Sequence, residues 1–492
     1  MSSGLSRAAA RGTLWLGLVN VLSKGAQMLV LLALGRYLAA GELGTVTIAI
    51  TLVNVGQTVQ TMGVFDMISR TRHDPVAFTR SVASLSVGVG LALAAALLAA
   101  AGPIARLIGA PDAEPLLRVV ALSLPFSAYA GVQVAYLHRS LDFRRRLIPD
   151  AGSALAGAAV TIGAAAAGAG SWALIAGVLT TAVLAPLLGL LVGVRIGFGW
   201  NRGYVGETLR WSRVTGPGAV IGVLLLQVDY LVVTRALGTA ANGIYSFAYR
   251  IAFVPYITVA VVIGAVAFPV YARLAERAGD DDLDAAPAVA SAFARFGHVL
   301  LATTGGGYLL IGLLADRIVL IDPRWAASAP ILRVLCGYGL LLGLVLACHE
   351  VTRAIGRPEV YLRAQAVHLV VLTGTAVLLV HPAGAIGVAW AQLIAAGVTL
   401  GLLGVVLARV GVLTTSTARG LAGPLPAAAV TVAADLAVRA LGLTPPLGSL
   451  FGALWLAGLL GAVYLGTLLL LDRSAVADLV AALGRAGPVV EP

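Results

Sequence analysis

Charged side chains occur inside several long apolar segments of this sequence. Asp229 and Arg235 lie in the run LLLQVDYLVVTRALG at 224–238, and Arg250 lies in the apolar run that follows. Lys24, the only lysine of the chain, lies within the first apolar run. A charge at the centre of a lipid bilayer costs about 2.5–3.5 kcal/mol on insertion scales. We therefore expect these charges to pair with one another or to line a hydrated cavity.

Uncharged polar residues accompany these charges at helical spacing. In the first apolar run the spacing of Asn20, Lys24 and Gln27 places all three on one face of a helix. The second run carries a polar stripe: Thr47, Thr51, Asn54, Thr58 and Thr61, with Gln57 beside it. The seventh run carries Gln227 and Asp229, and the eighth carries Ser246, Tyr249 and Arg250. The third, fifth and sixth runs consist almost entirely of Ala, Gly, Val and Leu, as suits contact with lipid or tight packing.

Two interpretations of these stripes are open. The four polar helices could face one another across a cavity, or their polar side chains could simply hydrogen-bond neighbouring helices. Asp229 and Arg250 each lie about eight residues from the outer end of their helix, roughly 12 Å deep, so that they could pair. Such a pair could serve only to let two charges reside in the membrane, or it could open and close a gate. Asp66 is expected near the inner membrane surface.

The composition predicts a helical membrane protein. The chain has 492 residues, a mean hydropathy of +0.96 and only 11% charged residues. A membrane helix needs about 20 predominantly apolar residues, and the apolar runs here are continuous, not alternating. Fourteen helices are predicted, beginning near residues 13, 44, 79, 115, 149, 171, 212, 241, 295, 328, 360, 384, 419 and 448. The N-terminal segment shows no convincing cleavage site, which predicts an uncleaved first helix.

The basic residues predict the orientation in the membrane. With both termini in the cytoplasm, the inner segments hold 23 of the 33 Lys and Arg residues and the outer segments hold eight. This bias is typical of plasma-membrane proteins and explains the net charge of +11 better than nucleic-acid binding does. The preference for Arg over Lys, together with abundant Ala and Gly, indicates a bacterium with a high-GC genome.

A weak internal repeat divides the chain into two similar halves. The segment RYLAAGELGTVTIA from Arg36 aligns with RALGTAANGIYSFA from Arg235, 199 residues later, and this register matches Gly44 with Gly243. The predicted first and seventh helices are also 199 residues apart. Two six-helix lobes of like topology are a transporter architecture. We therefore predict lobes at 1–200 and 201–410, and two additional helices with a short cytoplasmic tail at 411–492.

The motifs of several enzyme classes are absent from the sequence. Lys24 is followed by Gly25 and not by Ser or Thr, so there is no Walker A motif. His349 and Glu350 begin a zinc-binding HExxH pattern, but position 353 is Arg. No GxSxG motif occurs. We expect no catalytic residues, no metal site and no cofactor, and a membrane-embedded glycosyltransferase or polymerase stays the alternative from another class.

Several segments, taken in order, resemble a known family. They are LHRSLDFRRRLIPD (137–150), GSWALIAG (170–177), VDYLVVTRALGTAANGIYSFAYRIAFVP (228–255), AFPVYARL (267–274) and AIGRPEVY (354–361). In this order they resemble polysaccharide-repeat-unit flippases, the Wzx-like and teichuronic-acid-exporter branch of the multidrug/oligosaccharidyl-lipid/polysaccharide exporter superfamily. The resemblance covers most of residues 10–410.

The resemblance implies a function and a set of site residues. It implies two six-helix bundles in a V shape, and movement of an undecaprenyl-diphosphate-linked oligosaccharide across the bacterial plasma membrane by alternating access. An ion-coupled multidrug antiporter and a peptidoglycan-precursor flippase are alternatives within the same superfamily. The expected partners are the lipid-linked oligosaccharide, membrane lipids, and polysaccharide polymerase and glycosyltransferases. The residues expected to bind substrate are Lys24, Arg250, Asn20, Gln27, Asn54, Gln57 and Tyr249. Those expected to serve in ion coupling or gating are Asp229, Arg235 and Asp66.

Overall fold

The described part of the protein is built from α-helices. The computed structural model describes residues 23, 25–140, 142–277 and 282–472, and within these residues it contains no β-strand. Eleven helices among them are long and apolar enough to cross a membrane. The predicted all-α membrane fold is thereby confirmed, while the count of fourteen helices stays a prediction because most of the first apolar run lies outside the described residues.

The chain divides into two compact units, with the boundary between Ser246 and Phe247. The first unit contains α1 (residues 25–37), α2 (Ala40–Thr61), α3 (Val64–Arg70), α4 (Pro75–Ile108), α5 (Ala113–Ala121), α6 (Ser123–Arg139), α7 (Phe143–Leu147), α8 (Ser153–Ala166), α9 (Trp172–Leu191) and α10 (Arg202–Leu225). Helix α11 (Val228–Pro255) contains the boundary. The second unit continues with α12 (Val261–Arg277), α13 (Asp282–Leu300), α14 (Gly306–Leu313), α15 (Ala329–Ala354), α16 (Pro358–Arg409), α17 (Thr415–Leu421), α18 (Leu425–Ala440) and α19 (Leu450–Leu471). The predicted lobe boundaries at 200 and 410 stay predictions.

Two of the longest helical segments are interrupted by a glycine. In α11 the backbone leaves the helical conformation at Gly238, where φ is 86° and ψ is 175°. In α16 it does so at Gly384, where φ is 63°. A side chain with a Cβ rarely adopts a positive φ, so these positions favour glycine. The interruption at Gly238 lies just before the predicted start of the eighth helix near residue 241, and the eleventh and twelfth predicted helices meet at Gly384.

The seventh predicted helix differs from its expectation. The sequence predicts that it begins near residue 212 and that Arg235 marks its outer end. Instead α10 begins ten residues earlier at Arg202, because the Asn201 side chain accepts hydrogen bonds from the backbone amides of Gly203 and Tyr204 and caps the helix. The helix is then interrupted at Leu226 and Gln227, before α11 begins. The apolar run alone could show neither the polar first turns nor this break.

Small residues allow close packing within the first unit. Helices α8 and α9 meet at Gly157 and Gly177. A methyl group on Gly157 would overlap the hydroxyl oxygen of Thr181, and one on Gly177 would overlap that of Thr161. These helices correspond to two of the runs made almost entirely of Ala, Gly, Val and Leu, so in them the small residues serve close helix contact.

The second unit is held together partly by polar contacts of its last helices. Tyr464 on α19 donates a hydrogen bond to the carbonyl oxygen of Ala302, at 2.8 Å. His298 on α13 contacts the carboxylate of Asp472, Nε2 to Oδ2 at 2.7 Å, and both side chains are about nine-tenths buried. Its other ring nitrogen lies 2.6 Å from the carbonyl oxygen of Gly420. The end of α19 is thus attached to α13 and α17.

Candidate functional site

The polar stripe of α2 contains two kinds of side chain. The hydroxyl groups of Thr47, Thr58 and Thr61 donate hydrogen bonds to backbone carbonyls three or four residues earlier in the same helix. Such hydroxyls are satisfied without any outside partner. Asn54 and Gln57 carry amide groups, which have both donors and acceptors to offer to another molecule.

These amides line a cavity of about 420 Å³ within the first unit. Its walls come from α2, from α6 and from the interruption between α10 and α11. The lining residues are Asn54, Gln57, Thr58, Gln60, Thr61, Ser127, Val223, Leu226 and Gln227. We call it the amide cavity. Seven of these nine side chains are polar, and among the residues that the structure describes no charged side chain lines the cavity. The described lining therefore offers hydrogen bonds and no ionic contact. The volume of the cavity lies in the range of small-molecule sites.

Contacts between helices fix two of the amides. The side-chain nitrogen of Gln57 donates to the hydroxyl oxygen of Ser127 on α6, at 3.3 Å. The hydroxyl of Thr51 donates to the amide oxygen of Gln227, at 2.7 Å. Gln227 lies in the two-residue interruption before α11, so its position depends on that break. Side chains held in this way are preorganised for a ligand.

Gln60 is a site residue that the sequence analysis missed. Its side chain is only 3% exposed, and neither its amide nitrogen nor its amide oxygen has a hydrogen-bond partner among the described residues. Gly90 on α4 leaves space for it: a Cβ there would lie 3.0 Å from the amide oxygen. Buried amides nearly always form hydrogen bonds, so Gln60 has both a donor and an acceptor to offer to a molecule in the cavity. The available signal was its i, i+3 spacing from Gln57.

Asp229 has an unforeseen partner. It is fully buried, and its Oδ2 accepts a hydrogen bond from the Tyr245 hydroxyl at 2.9 Å. Its Oδ1 accepts from the backbone amide of Tyr230, also at 2.9 Å. Tyr245 follows the turn at Gly238, so the bond links the two arms of α11. The pairing of Asp229 with Arg250 stays a prediction.

The repeat predicted from the sequence corresponds to a contact in the structure. Helix α2 crosses the segment 239–246 at Gly44 and Gly243. A methyl group on Gly44 would overlap the carbonyl oxygen of Thr239, and one on Gly243 would overlap that of Ala40. The two contacts are counterparts of each other, because Gly44 and Gly243 are 199 residues apart and so are Ala40 and Thr239. The hydroxyl groups of Thr47 and Ser246, again 199 residues apart, lie 3.5 Å from each other.

The remaining predicted site residues are dispersed. Asn20 and Lys24 lie outside the described residues. Gln27 on α1 and Arg235 on α11 are exposed, and Asp66 is half-buried in the first turn of α3; none of these three lines the amide cavity. In the second unit Tyr249 is buried and its ring stacks on Phe253, with the centroids 5.5 Å apart, and Arg250 is half-buried. Of the predicted site residues that the structure describes, only Asn54 and Gln57 line this cavity. Within the described ranges no cluster of three His, Cys, Asp or Glu residues could hold a metal ion.

Many membrane-crossing helices and a polar cavity among them define a multi-pass membrane protein of the transporter class. The sequence comparison then assigns the family. Residues 33–295, more than half of the chain, match the family described as polysaccharide biosynthesis protein, and the chain belongs to it. The resemblance predicted from the quoted segments is confirmed.

Two curated relatives and two solved structures agree with this assignment. The succinoglycan biosynthesis transport protein ExoT of Rhizobium meliloti (strain 1021) is 27% identical over 339 residues, which is 67% of this chain and 66% of ExoT. The lipopolysaccharide biosynthesis protein WzxC of Escherichia coli (strain K12) is 22% identical over 386 residues, which is 77% of this chain and 76% of WzxC.

Among solved structures, the lipid II flippase MurJ in its inward closed conformation matches 93% of this chain and 99% of its own, with a TM-score of 0.74 and 15% identity. An inward-facing multidrug resistance MATE family transporter of the MOP superfamily matches 80% of this chain and 95% of its own, with a TM-score of 0.59 and 17% identity. At such identities the two likenesses establish the fold alone.

Proposed function

We propose that this protein exports a lipid-linked oligosaccharide. It moves the repeat unit of a surface polysaccharide, carried on undecaprenyl diphosphate, across the bacterial plasma membrane by alternating access, with both termini in the cytoplasm. The names of ExoT and WzxC, which are a transport protein and a biosynthesis protein of two polysaccharides, support this substrate class. The proposed partners are glycosyltransferases, which assemble the repeat unit before transport, and a polysaccharide polymerase, which joins the units after it.

The amide cavity is the observation that carries the proposal. A sugar presents many hydroxyl groups, each of which both donates and accepts hydrogen bonds, and these groups cannot enter hydrocarbon unpaired. The side-chain amides of Asn54, Gln57, Gln60 and Gln227 also donate and accept, so they can replace water around a sugar. A cavity for organic cations would favour aromatic faces or carboxylates, and neither occurs among the described residues that line this one.

The diphosphate and the lipid tail need separate surroundings. We assign the diphosphate to the cationic side chains of Lys24 and Arg250, because charge-assisted hydrogen bonds to phosphate oxygens are strong. Asn20, Gln27 and Tyr249 would add hydrogen bonds from their own helices. Asp229, Arg235 and Asp66 are assigned to gating or ion coupling. The polyprenyl tail stays in the lipid, where its transfer costs nothing.

Substitution of the unpartnered glutamine tests the proposal most directly. Gln60→Leu conserves the volume of the side chain but removes both amide atoms, and Gln57→Leu removes the neighbouring amide. We expect Gln60→Leu, alone or with Gln57→Leu, to reduce export at least tenfold while the protein reaches the membrane at normal level. Export is measured as surface polysaccharide in cells, and as translocation of a fluorescent lipid-linked oligosaccharide in proteoliposomes.

A matched control separates a site effect from a general one. Gln365→Leu removes a glutamine amide from α16 in the second unit, outside the amide cavity, and should leave export unchanged. Normal export by the Gln57→Leu/Gln60→Leu double variant would refute the assignment of the cavity. Ion-coupled efflux of small organic cations, without transfer of the lipid-linked sugar, would favour the multidrug antiporter instead.

A further inference from the structure

A second cavity in the first unit carries charge where the amide cavity carries none. Its volume is about 310 Å³, and it lies between the beginning of α4, the end of α6 and the segment that follows α9. Arg80, Arg145 and Arg195 line it, with Asp142 as the one acidic residue. The lining therefore carries two positive charges in excess. We call it the arginine cavity.

Two of these arginines have no acidic partner. Arg145 lies 3.3 Å from the Asp142 carboxylate, Nε to Oδ2, so this pair is largely neutralised. Neither Arg80 nor Arg195 forms an ion pair among the residues that the structure describes. Their guanidinium groups remain available to a second molecule.

The segment that carries Arg195 is held in place through the residues on either side of it, Val194 and Ile196. The Tyr129 hydroxyl donates a hydrogen bond to the carbonyl oxygen of Ile196, at 2.7 Å. The side-chain nitrogen of Gln133 donates a hydrogen bond to the carbonyl oxygen of Val194, at 3.0 Å. Both donors lie on α6, so the segment is fixed to this helix on either side of Arg195. A fixed wall lowers the entropy lost when a ligand binds.

The position of Arg80 also depends on that segment. A Cβ on Gly197 would lie 3.5 Å from the Arg80 Nε, in van der Waals contact with it, so the Arg80 side chain extends along the segment. The backbone amide of Gly199 donates to the hydroxyl oxygen of Ser84, at 3.0 Å, which fixes the far end of the segment to α4. Arg80 and Arg195 therefore face one cavity from two elements that are tied together.

Exposed aromatic residues beside the cavity favour a position at the membrane surface. Phe198 and Trp200, on the same segment, are 64% and 63% exposed. Aromatic side chains are enriched at the membrane–water interface, which is the level of lipid phosphates. A planar guanidinium group binds phosphate oxygens through two parallel hydrogen bonds, and Thr79 and Tyr136 add polar groups to the lining. The charge of the cavity, the geometry of its guanidinium groups and its expected position at the membrane surface all fit a lipid phosphate.

We infer that the arginine cavity binds the phosphate of an anionic glycerophospholipid headgroup. A phosphate of this kind satisfies both free guanidinium groups, while the acyl chains remain in the surrounding bilayer. Free phosphate or diphosphate shares this chemistry and is distinguished by the experiment. The arginine cavity shares no lining residue with the amide cavity, so this inference does not depend on the proposed transport substrate.

Binding of short-chain lipids to the purified protein in neutral detergent tests the inference. We expect dihexanoyl phosphatidylglycerol to bind, dihexanoyl phosphatidylcholine to bind at least about tenfold more weakly, and the Arg80→Gln/Arg195→Gln variant to lose at least about tenfold in affinity for the anionic lipid. Arg202→Gln/Arg210→Gln is the matched control, because it removes two exposed arginines of α10 that lie outside the cavity.

Two further arms make the result decisive. Gly197→Leu keeps every charge but covers the Arg80 side chain, and it should weaken binding even if the double variant folds poorly. Competition with inorganic phosphate and pyrophosphate identifies the source of the bound phosphate. If neither anion displaces the anionic lipid, the lipid assignment is supported. If either anion displaces it and the protein shows no preference for the lipid, the lipid assignment is overturned. Equal losses in the cavity and control variants would overturn the site itself, because the arginines would then attract lipid only through net charge.

Discussion

Close contact at Gly44 and Gly243 leads to a quantitative prediction. Alanine at either position would place a methyl group on a backbone carbonyl oxygen of the opposite segment, at Thr239 or at Ala40. No side-chain rotation can relieve this overlap, because the obstructing atoms belong to helix backbones. The two segments must therefore move apart.

The expected destabilisation has two sources, the overlap of the added methyl group with a backbone carbonyl and the weakening of a buried hydrogen bond. Overpacking of a closely packed contact costs about 1–3 kcal/mol. Separation also weakens the buried hydrogen bond from the Asn242 side chain to the Gly44 carbonyl oxygen, 3.2 Å long, which contributes about 0.5–1.5 kcal/mol. We expect Gly44→Ala and Gly243→Ala each to lower the free energy of unfolding by about 1.5–4.5 kcal/mol, the sum of the two contributions. Since both changes separate the same segments, the double variant should lose less than the sum.

Unfolding in mixed micelles provides the measurement. The purified variants are titrated with sodium dodecyl sulfate, and unfolding is followed by tryptophan fluorescence. Gly41→Ala is the control, since this glycine lies on α2 and a Cβ there would have no neighbour within 4 Å. It should be neutral or stabilising by roughly 0.5–1 kcal/mol. The packing argument fails if Gly44→Ala and Gly243→Ala behave like Gly41→Ala, or if their effects add fully.

Three further predictions use other buried contacts. Tyr245→Phe removes the hydroxyl that binds the Asp229 carboxylate and should destabilise the protein by about 1.5–3 kcal/mol in the same titration; an unchanged midpoint would show that the bond contributes nothing. His298→Ala leaves Asp472 without its imidazole and should lower the temperature at which the two buried free cysteines of α15 react with a thiol dye, and a wild-type profile would contradict this. Gly177→Ala should force α8 from α9 and cost about 1–3 kcal/mol; its tolerance at full stability would argue against the close crossing.

Much of the fold could be predicted because the deciding signals are local. The apolar runs predict the helices, since the free energy of placing about 20 residues in a bilayer depends on those residues alone. The turn near Gly238 was also predictable, from a short sequence between two apolar runs. The break at Leu226 and Gln227 was not, because both residues lie within one continuous apolar run and no glycine or proline marks them.

The candidate site was only partly predictable, for a geometric reason. Asn54 and Gln57 were identified from a stripe on one helix, and both line the amide cavity. Gln60 and Ser127 were missed, because a one-dimensional pattern does not show which face of α2 meets α6. Tyr245 was missed as the partner of Asp229 because the two residues lie on opposite sides of a turn, and only the crossing of the two arms brings them together.

The sequence by itself therefore determined that this is a helical membrane protein, approximately where its helices lie, and the 199-residue register of its two related halves. These properties follow from hydropathy and spacing along the chain. Only the tertiary structure decided which amides share a cavity. It also decided that Arg145 pairs with Asp142 while Arg80 and Arg195 form no ion pair among the described residues, and that Gly44 and Gly243 lie where two segments meet closely. Each of these depends on the rotation and crossing of helices distant in sequence, which are set by packing among many side chains at once.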